Sequence, residues 1–138
     1  TKGEIVLIHD GARPFVPTSL IEKVISEVKK SGAAMAAVMA DTCIKLIEDN
    51  WVKDSLPRHK TWLGQTPHGF KRTLILKAYK RAMKKGPLCL ADDCELVMRL
   101  GEKVKVVPGD ESNIKITIPH DLFLARRIWK NLKRGKNV

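Results

Sequence analysis

The chain has 138 residues, enough for one domain with a real core, and its 43% hydrophobic and 30% charged content excludes a disordered polymer. Its longest uncharged stretch, around Gly32 to Ala40, is too short to cross a bilayer, and Thr1-Lys2-Gly3-Glu4 shows no signal-peptide pattern. A net charge of +11 favours anionic partners, but the scattered basic residues carry no nucleic-acid-binding motif, so small phosphorylated ligands are expected and nucleic acid is not.

Three cysteines (Cys43, Cys89, Cys94), without paired metal-type spacing, fit reduced thiols in a cytoplasmic protein rather than a disulfide framework.

In chain order, Ile5 to Ile8 is a continuous apolar run that suits a strand buried on both faces of a parallel sheet. His9 is read as a packed histidine. Asp10 follows the strand's carboxyl end, where open α/β sheets place their ligands, and Gly11, Arg13 and Pro14 make the loop. An acid and a guanidinium three residues apart suit a metal–phosphate substrate, and equally an ordinary loop with its own ion pair. Pro17-Thr18-Ser19 opens a helix with Leu20, Val24, Ile25 and Val28 inward, which Gly32 ends. Ala33 to Ala40 is read as the next parallel strand, although its alanines would also suit a helix.

Residues 41–60 change character. Asp49-Asn50 is a hairpin turn signal between two alternating flanks, so a protruding β-arm is expected there. Such a ribbon is marginal alone and should lean on a second copy of the chain. Trp62 to Pro67 returns the chain to the body. A helix follows over about Lys71 to Lys84, with Leu74, Ala78, Tyr79, Ala82 and Met83 inward and Gly86-Pro87 as its stop. Ala91-Asp92-Asp93-Cys94 begins a shorter helix that buries Leu96, Val97 and Leu100 and ends at Gly101; its acids are explained by the helix dipole. Val104 to Val107 reads as a strand, Pro108-Gly109-Asp110 as a turn and Asn113 to Ile116 as a short extended piece. Thr117 is read as the cap of a last helix with Leu122, Ala125, Trp129 and Leu132 inward, and the basic tail from Lys133 as frayed.

No stretch is a self-sufficient catalytic motif. His59, His68 and His120 fall in loops without paired ligands, which argues against zinc. What recurs is a polar group at a loop after a strand: Asp10, Arg13, Thr42, Arg58, Thr66, Lys115 and Thr117. Together they suggest a cleft for something anionic and hydroxylated.

Five ordered motifs then carry a resemblance. They are His9-Asp10-Gly11-Ala12-Arg13-Pro14-Phe15, Asp41-Thr42-x-Ile44-Lys45, Gln65-Thr66-Pro67-x-x-Phe70, Asp92-Asp93, and Asn113 to Thr117 with Pro119, Asp121 and Leu122. Across nearly the whole chain these resemble the bacterial 2-C-methyl-D-erythritol 4-phosphate cytidylyltransferases. The related ribitol-5-phosphate cytidylyltransferases share several motifs, but Gly11-Ala12 and the Asp41 to Lys45 block favour the methylerythritol branch.

The resemblance implies a Rossmann-like nucleotidyltransferase α/β fold, a mostly parallel sheet flanked by helices, and a homodimer locked by exchanged β-arms. It implies a magnesium-dependent reaction of CTP with the sugar phosphate. By position, Asp10 lies by nucleotide and Mg2+, while Arg13, Thr42, Arg58, Thr66, Lys115 and Thr117 line the acceptor site. Arg58 and Lys115 match the two cations that hold the acceptor phosphate, with Thr42 and Arg58 serving the partner's site. Ala91 stands where the family commonly has threonine. The Gly-rich segment that grips the triphosphate is not in this sequence, which begins about where the second half of the family fold begins. The single partial domain is therefore expected to supply the acceptor site and arm, and to be inactive alone. A non-catalytic dimerisation or sugar-phosphate-binding remnant is the other reading.

Overall fold

The computed structural model describes residues 3–84 and 90–135. A four-stranded sheet forms from β1 (Ile5–Ile8), β2 (Ala33–Met39), β5 (Trp62–Lys71) and β6 (Lys105–Pro108), in the order β1-β5-β2-β6. Strand β5 runs antiparallel to both its neighbours, and β2 and β6 pair in parallel, so β1, β2 and β6 all point the same way. The expected mostly parallel α/β sheet is thus present as a mixed sheet with one reversed central strand.

Helices cover both faces. On one side α1 (Thr18–Ser31) packs Leu20, Val24 and Val28 against Ala34, Ala36 and Val107. On the other, α2 (Arg72–Met83) and α3 (Asp93–Met98) bury Ile75, Ala78, Cys94, Leu96 and Val97 with Ala33 and Phe70. Small residues on the sheet set how closely α1 can approach. A Cβ added to Gly69 on β5 would meet Val28 Cγ2 at 2.7 Å and Val24 Cγ1 at 2.8 Å. Gly32 ends α1 in the left-handed conformation (φ 87°), which glycine adopts without penalty.

Strand β1 alternates as a two-faced strand must: Ile5 and Leu7 lean toward α1, Val6 and Ile8 toward α2 and α3. All four remain half-buried, because β1 pairs with β5 alone among the described strands.

The arm is present. Strands β3 (Lys45–Glu48) and β4 (Trp51–Ser55) form a separate two-stranded sheet, exposed along its whole length. Asp49 and Asn50 turn it with φ of 50° and 63°, the left-handed pair that a tight hairpin needs. A short 3-10 turn, Arg58–Lys60, then leads into β5.

Several details depart from the sequence reading. Trp62 to Pro67 is no mere return but the first part of β5, the strand that joins β1 to β2. Asn113 to Ile116 joins no sheet; it is held by Ile116 N–H donating to Ala12 O at 2.9 Å. On α2, Met83 is 80% exposed and Tyr79 is exposed too, leaving Ile75 and Ala78 as the buried pair. The last helix, α4 (Asp121–Gly135), buries Ala125 but leaves Leu122, Trp129 and Leu132 exposed, so the expected inner face is not covered by the rest of this chain. It also extends through Lys133 and Arg134, which were expected to fray. The Thr117 cap is reversed as well. The Asp121 carboxylate accepts from the N–H groups of Thr117 (2.7 Å) and Ile118 (3.0 Å) and from the Thr117 hydroxyl (3.1 Å). The Gly86-Pro87 stop and Cys89 lie outside the described residues. Among the described residues, no helix is long and apolar enough to cross a membrane.

Candidate functional site

The carboxyl end of β1, the middle of β5, the start of α3 and the loop after β6 converge on a cleft of about 300 Å³. Asp10, Arg13, Thr66, His68, Asp92, Asp93 and Lys115 are among its lining residues. A break in strand register delivers Thr66. Met35 of β2 pairs with His68 and the next residue, Ala36, with Gln65, so Thr66 and Pro67 bulge out of the ladder. A bulge re-aims the side chain that a regular strand would keep in register.

Thr66 Oγ1 accepts from the backbone N–H of Asp10 at 3.0 Å and contacts His9 Nδ1 at 2.8 Å. His9 Nε2 contacts the carbonyl of Arg13 at 3.0 Å. A carbonyl can only accept, so Nε2 carries the proton, and a neutral ring then takes the Thr66 hydroxyl proton on Nδ1. His9 is therefore not a packed core histidine. It is exposed and ties the Asp10–Arg13 turn to β5.

Asp10 Oδ2 is shared by two cations, Arg13 Nε and Lys115 Nζ, each at 3.2 Å. Burial pushes the Asp10 carboxyl up. The hydrogen bonds and charges of Lys115 and Arg13 outweigh that and hold it below the ordinary 3.8.

The two cations are not equivalent. Arg13 is nearly enclosed and also donates from Nη1 to Asn113 O (2.7 Å) and from Nη2 to Gly64 O (3.3 Å). Its fork is spent largely on fixing the backbone of the cleft. Lys115 is 47% exposed and has Asp10 as its one ion-pair partner among the described residues, so its ammonium can turn to a ligand.

Beneath lies a buried amide lattice. Gln65 Nε2 donates to Asp110 O at 2.9 Å, while Gln65 Oε1 accepts from Asp110 N–H at 3.2 Å. Asn113, fully buried, donates from Nδ2 to Thr66 O at 2.8 Å. These residues hold the Lys115 segment against β5. Gln65 and Asn113 belong to the recurring motifs, but their part in the site is visible only once β5 and the loop after β6 lie side by side.

Of the seven site residues expected from sequence, Asp10, Arg13, Thr66 and Lys115 come together here. Thr117 does not line the cleft, and its hydroxyl is bound to Asp121. Thr42 and Arg58 lie exposed at the base of the arm, with Arg58 Nε donating to Ala40 O at 3.3 Å. His68 is not in a loop, as expected, but on β5, where it is buried. Asp92 does more than favour a helix dipole: its carboxylate accepts from Glu95 N–H at 3.0 Å as the cap of α3. Asp93 accepts from the Tyr79 hydroxyl, and that bond, with burial, lifts the phenol to about 12. Burial, then Asp92 and Asp93, push the Cys94 thiol up to about 12.

A magnesium ion wants oxygen ligands and commonly binds through one or two carboxylates plus substrate phosphates. Asp10 Oδ1 takes no hydrogen bond from the described residues, so one carboxylate oxygen remains for an ion arriving with a nucleotide. The donor set fits that mode and does not fit an all-protein cage.

The profile of the family described as 2-C-methyl-D-erythritol 4-phosphate cytidylyltransferase matches residues 1–131. The chain belongs to that family. A cytidylyltransferase of this name from Syntrophus aciditrophicus is 48% identical over 130 residues, which are 94% of this chain and 55% of the relative. One from Bacillus licheniformis is 39% identical over 137 residues, 99% of this chain and 59% of the relative. The crystal structure of the 2-C-methyl-D-erythritol 4-phosphate cytidylyltransferase of Thermus thermophilus superposes with a TM-score of 0.82 at 37% identity, covering 91% of this chain and 62% of that one. The chain thus spans a little over half the length of the curated cytidylyltransferases it matches.

Proposed function

We propose that this cytidylyltransferase-family chain supplies the acceptor side of a cleft that transfers CMP from CTP to 2-C-methyl-D-erythritol 4-phosphate. A phosphate oxygen of the acceptor forms a bond to the α-phosphorus of CTP, the bond from that phosphorus to the bridging oxygen breaks, and pyrophosphate leaves. Such a reaction needs alignment and charge neutralisation more than proton transfer. The observation that carries the reading is the exposed Lys115 ammonium, held on Asp10 at the mouth of a polar cleft by a buried lattice. When an acceptor phosphate enters, Lys115 exchanges one anionic partner for another, and Asp10 stays anchored by Arg13 and by its backbone bond to Thr66. Magnesium, if held, would use Asp10 and the nucleotide phosphates and would supply charge neutralisation at the transferring group.

The same reading makes the protein a homodimer in the cytoplasm. The arm supports the dimer: Ile47, Trp51 and Val52 are 58%, 79% and 63% exposed on a ribbon too small to be stable unassisted. Thr42 and Arg58, at its base, would then reach the partner's cleft.

The test uses the Syntrophus relative with its matching span replaced by this chain. Pyrophosphate release from CTP that requires methylerythritol phosphate and is not supported by ribitol 5-phosphate is the expected result. A folded graft that binds neither sugar phosphate would overturn the reading.

A further inference from the structure

His68 is an oddity in this cleft. It is 5% exposed, and its Nδ1 is buried with no hydrogen-bond partner among the described residues. The closest opposite charge, Asp93 Oδ2, stands at 3.8 Å, beyond hydrogen-bond reach. A buried ring nitrogen left unpaired is destabilising unless something outside the chain completes it. The atoms around it say what that could be. One ring nitrogen of His68, one carboxylate oxygen of Asp92 and the sulfur of Cys94 all lie within 4.8 Å of one another.

We propose that His68, Asp92 and Cys94 form a binding site for a borderline divalent transition-metal ion, of the zinc or cobalt type. The donors decide the class: nitrogen, oxygen and sulfur together suit such ions, whereas magnesium and calcium take oxygen alone. The spacing is close to what a metal needs. The widest triangle permitted, with every side 4.8 Å, has its centre about 2.8 Å from each corner, against roughly 2.0–2.3 Å in formed zinc sites. Small side-chain rotations close that gap. The supports are already built: Asp92 caps α3 with its carboxylate fixed by Glu95 N–H, and β5 holds His68 in an edge-on contact with the Phe70 ring.

Three protein ligands leave a tetrahedral ion one position short. His68 and Asp92 line the cleft while Cys94 lies in the core behind them, so the open position faces the cleft. A water or an oxygen of a bound ligand would fill it. The inference concerns binding alone and does not depend on which reaction the cleft supports.

The test is optical and needs no substrate. In protein carrying Cys43→Ser and Cys89→Ser, Cys94 is the one remaining thiol. The ion displaces the Cys94 thiol proton to solvent as the metal–sulfur bond forms, so titration with Co2+ should raise a thiolate-to-cobalt charge-transfer band that saturates at one equivalent and is abolished by Zn2+ but not by excess Mg2+. His68→Gln, and Asp92→Asn, which can still cap the helix, should each weaken cobalt binding at least tenfold while circular dichroism stays unchanged. Absence of the band, or a band of the same affinity in the His68→Gln protein, would overturn the proposal.

Discussion

Lys115 and Asp10 come from nearly opposite ends of the chain, yet the ammonium of one sits 3.2 Å from the carboxylate of the other. Arg13, only three residues after Asp10, holds the same oxygen, also at 3.2 Å. The carboxylate is a hub with one cation locked in and one free to move.

That asymmetry separates two substitutions. In the grafted enzyme, Lys115→Ala should lower kcat/KM for methylerythritol phosphate by about 10- to 100-fold. That matches the roughly 1.5–3 kcal/mol of a charge-assisted contact. Its urea midpoint should hardly move, because Lys115 is half exposed. Arg13→Ala should lower both, since it leaves the carbonyls of Asn113 and Gly64 without their donor. Equal stability loss in the two variants would contradict the division of labour.

The Asp10 carboxyl also carries a pH signature. Its folded value lies below 3.8, so the folded state binds this proton less readily than the unfolded chain does. The stability it contributes is full above the unfolded value and is lost as pH falls through the folded one. Denaturant midpoints taken at neutrality and below pH 3.8 should therefore differ less in Asp10→Asn than in the parent protein. Identical acid sensitivity in the two would show that the ion pairs do not hold the carboxyl down.

Packing of α1 on β5 gives a matched pair of glycine tests. A methyl at Gly69 would meet two valines and Leu7 Cδ2 at 2.7–3.1 Å, whereas one at Gly11 would meet nothing within 4 Å. Gly69→Ala should cost about 1–3 kcal/mol of stability by overpacking. Gly11→Ala should cost far less. Urea unfolding of the two variants side by side decides it.

What could be read from the sequence followed distance along the chain. The Asp10–Arg13 pair lies within one turn after an apolar strand, so periodicity and loop chemistry alone placed it. Lys115 stands out in the sequence as a polar group after a strand, and the motif resemblance gives it the acceptor phosphate, but no local pattern shows that it faces Asp10. The sequence hides strand β5, because Gly64, Pro67 and Gly69 are residue types that more often mark turns than strands. In the fold, Gly69 makes room for α1 and Pro67 lies in the bulge that turns Thr66 out. The apolar stripe of α4 marks an amphipathic helix, but amphipathicity does not say which surface meets it, and Leu122, Trp129 and Leu132 stay exposed. His68 looked like a loop residue for the same reason that β5 did.

Arg58 does not line the cleft of its own chain; it sits exposed at the arm's base, with Nε donating to Ala40 O. If the arm crosses to a second copy, Arg58 acts there beside that copy's Lys115. Arg58→Ala and Lys115→Ala should then each disable both sites of a homodimeric graft. Mixing the two variants creates heterodimers in which one cleft carries both losses and the other carries neither. Methylerythritol phosphate turnover should therefore reappear on mixing, at about one quarter of the parent rate, since random exchange makes half the dimers mixed and each has one intact cleft of two. Exchange must be allowed to finish, followed by mass spectrometry of differently tagged chains. Complete exchange without recovered turnover would place Arg58 at its own subunit's cleft, and the shared-site model would fail.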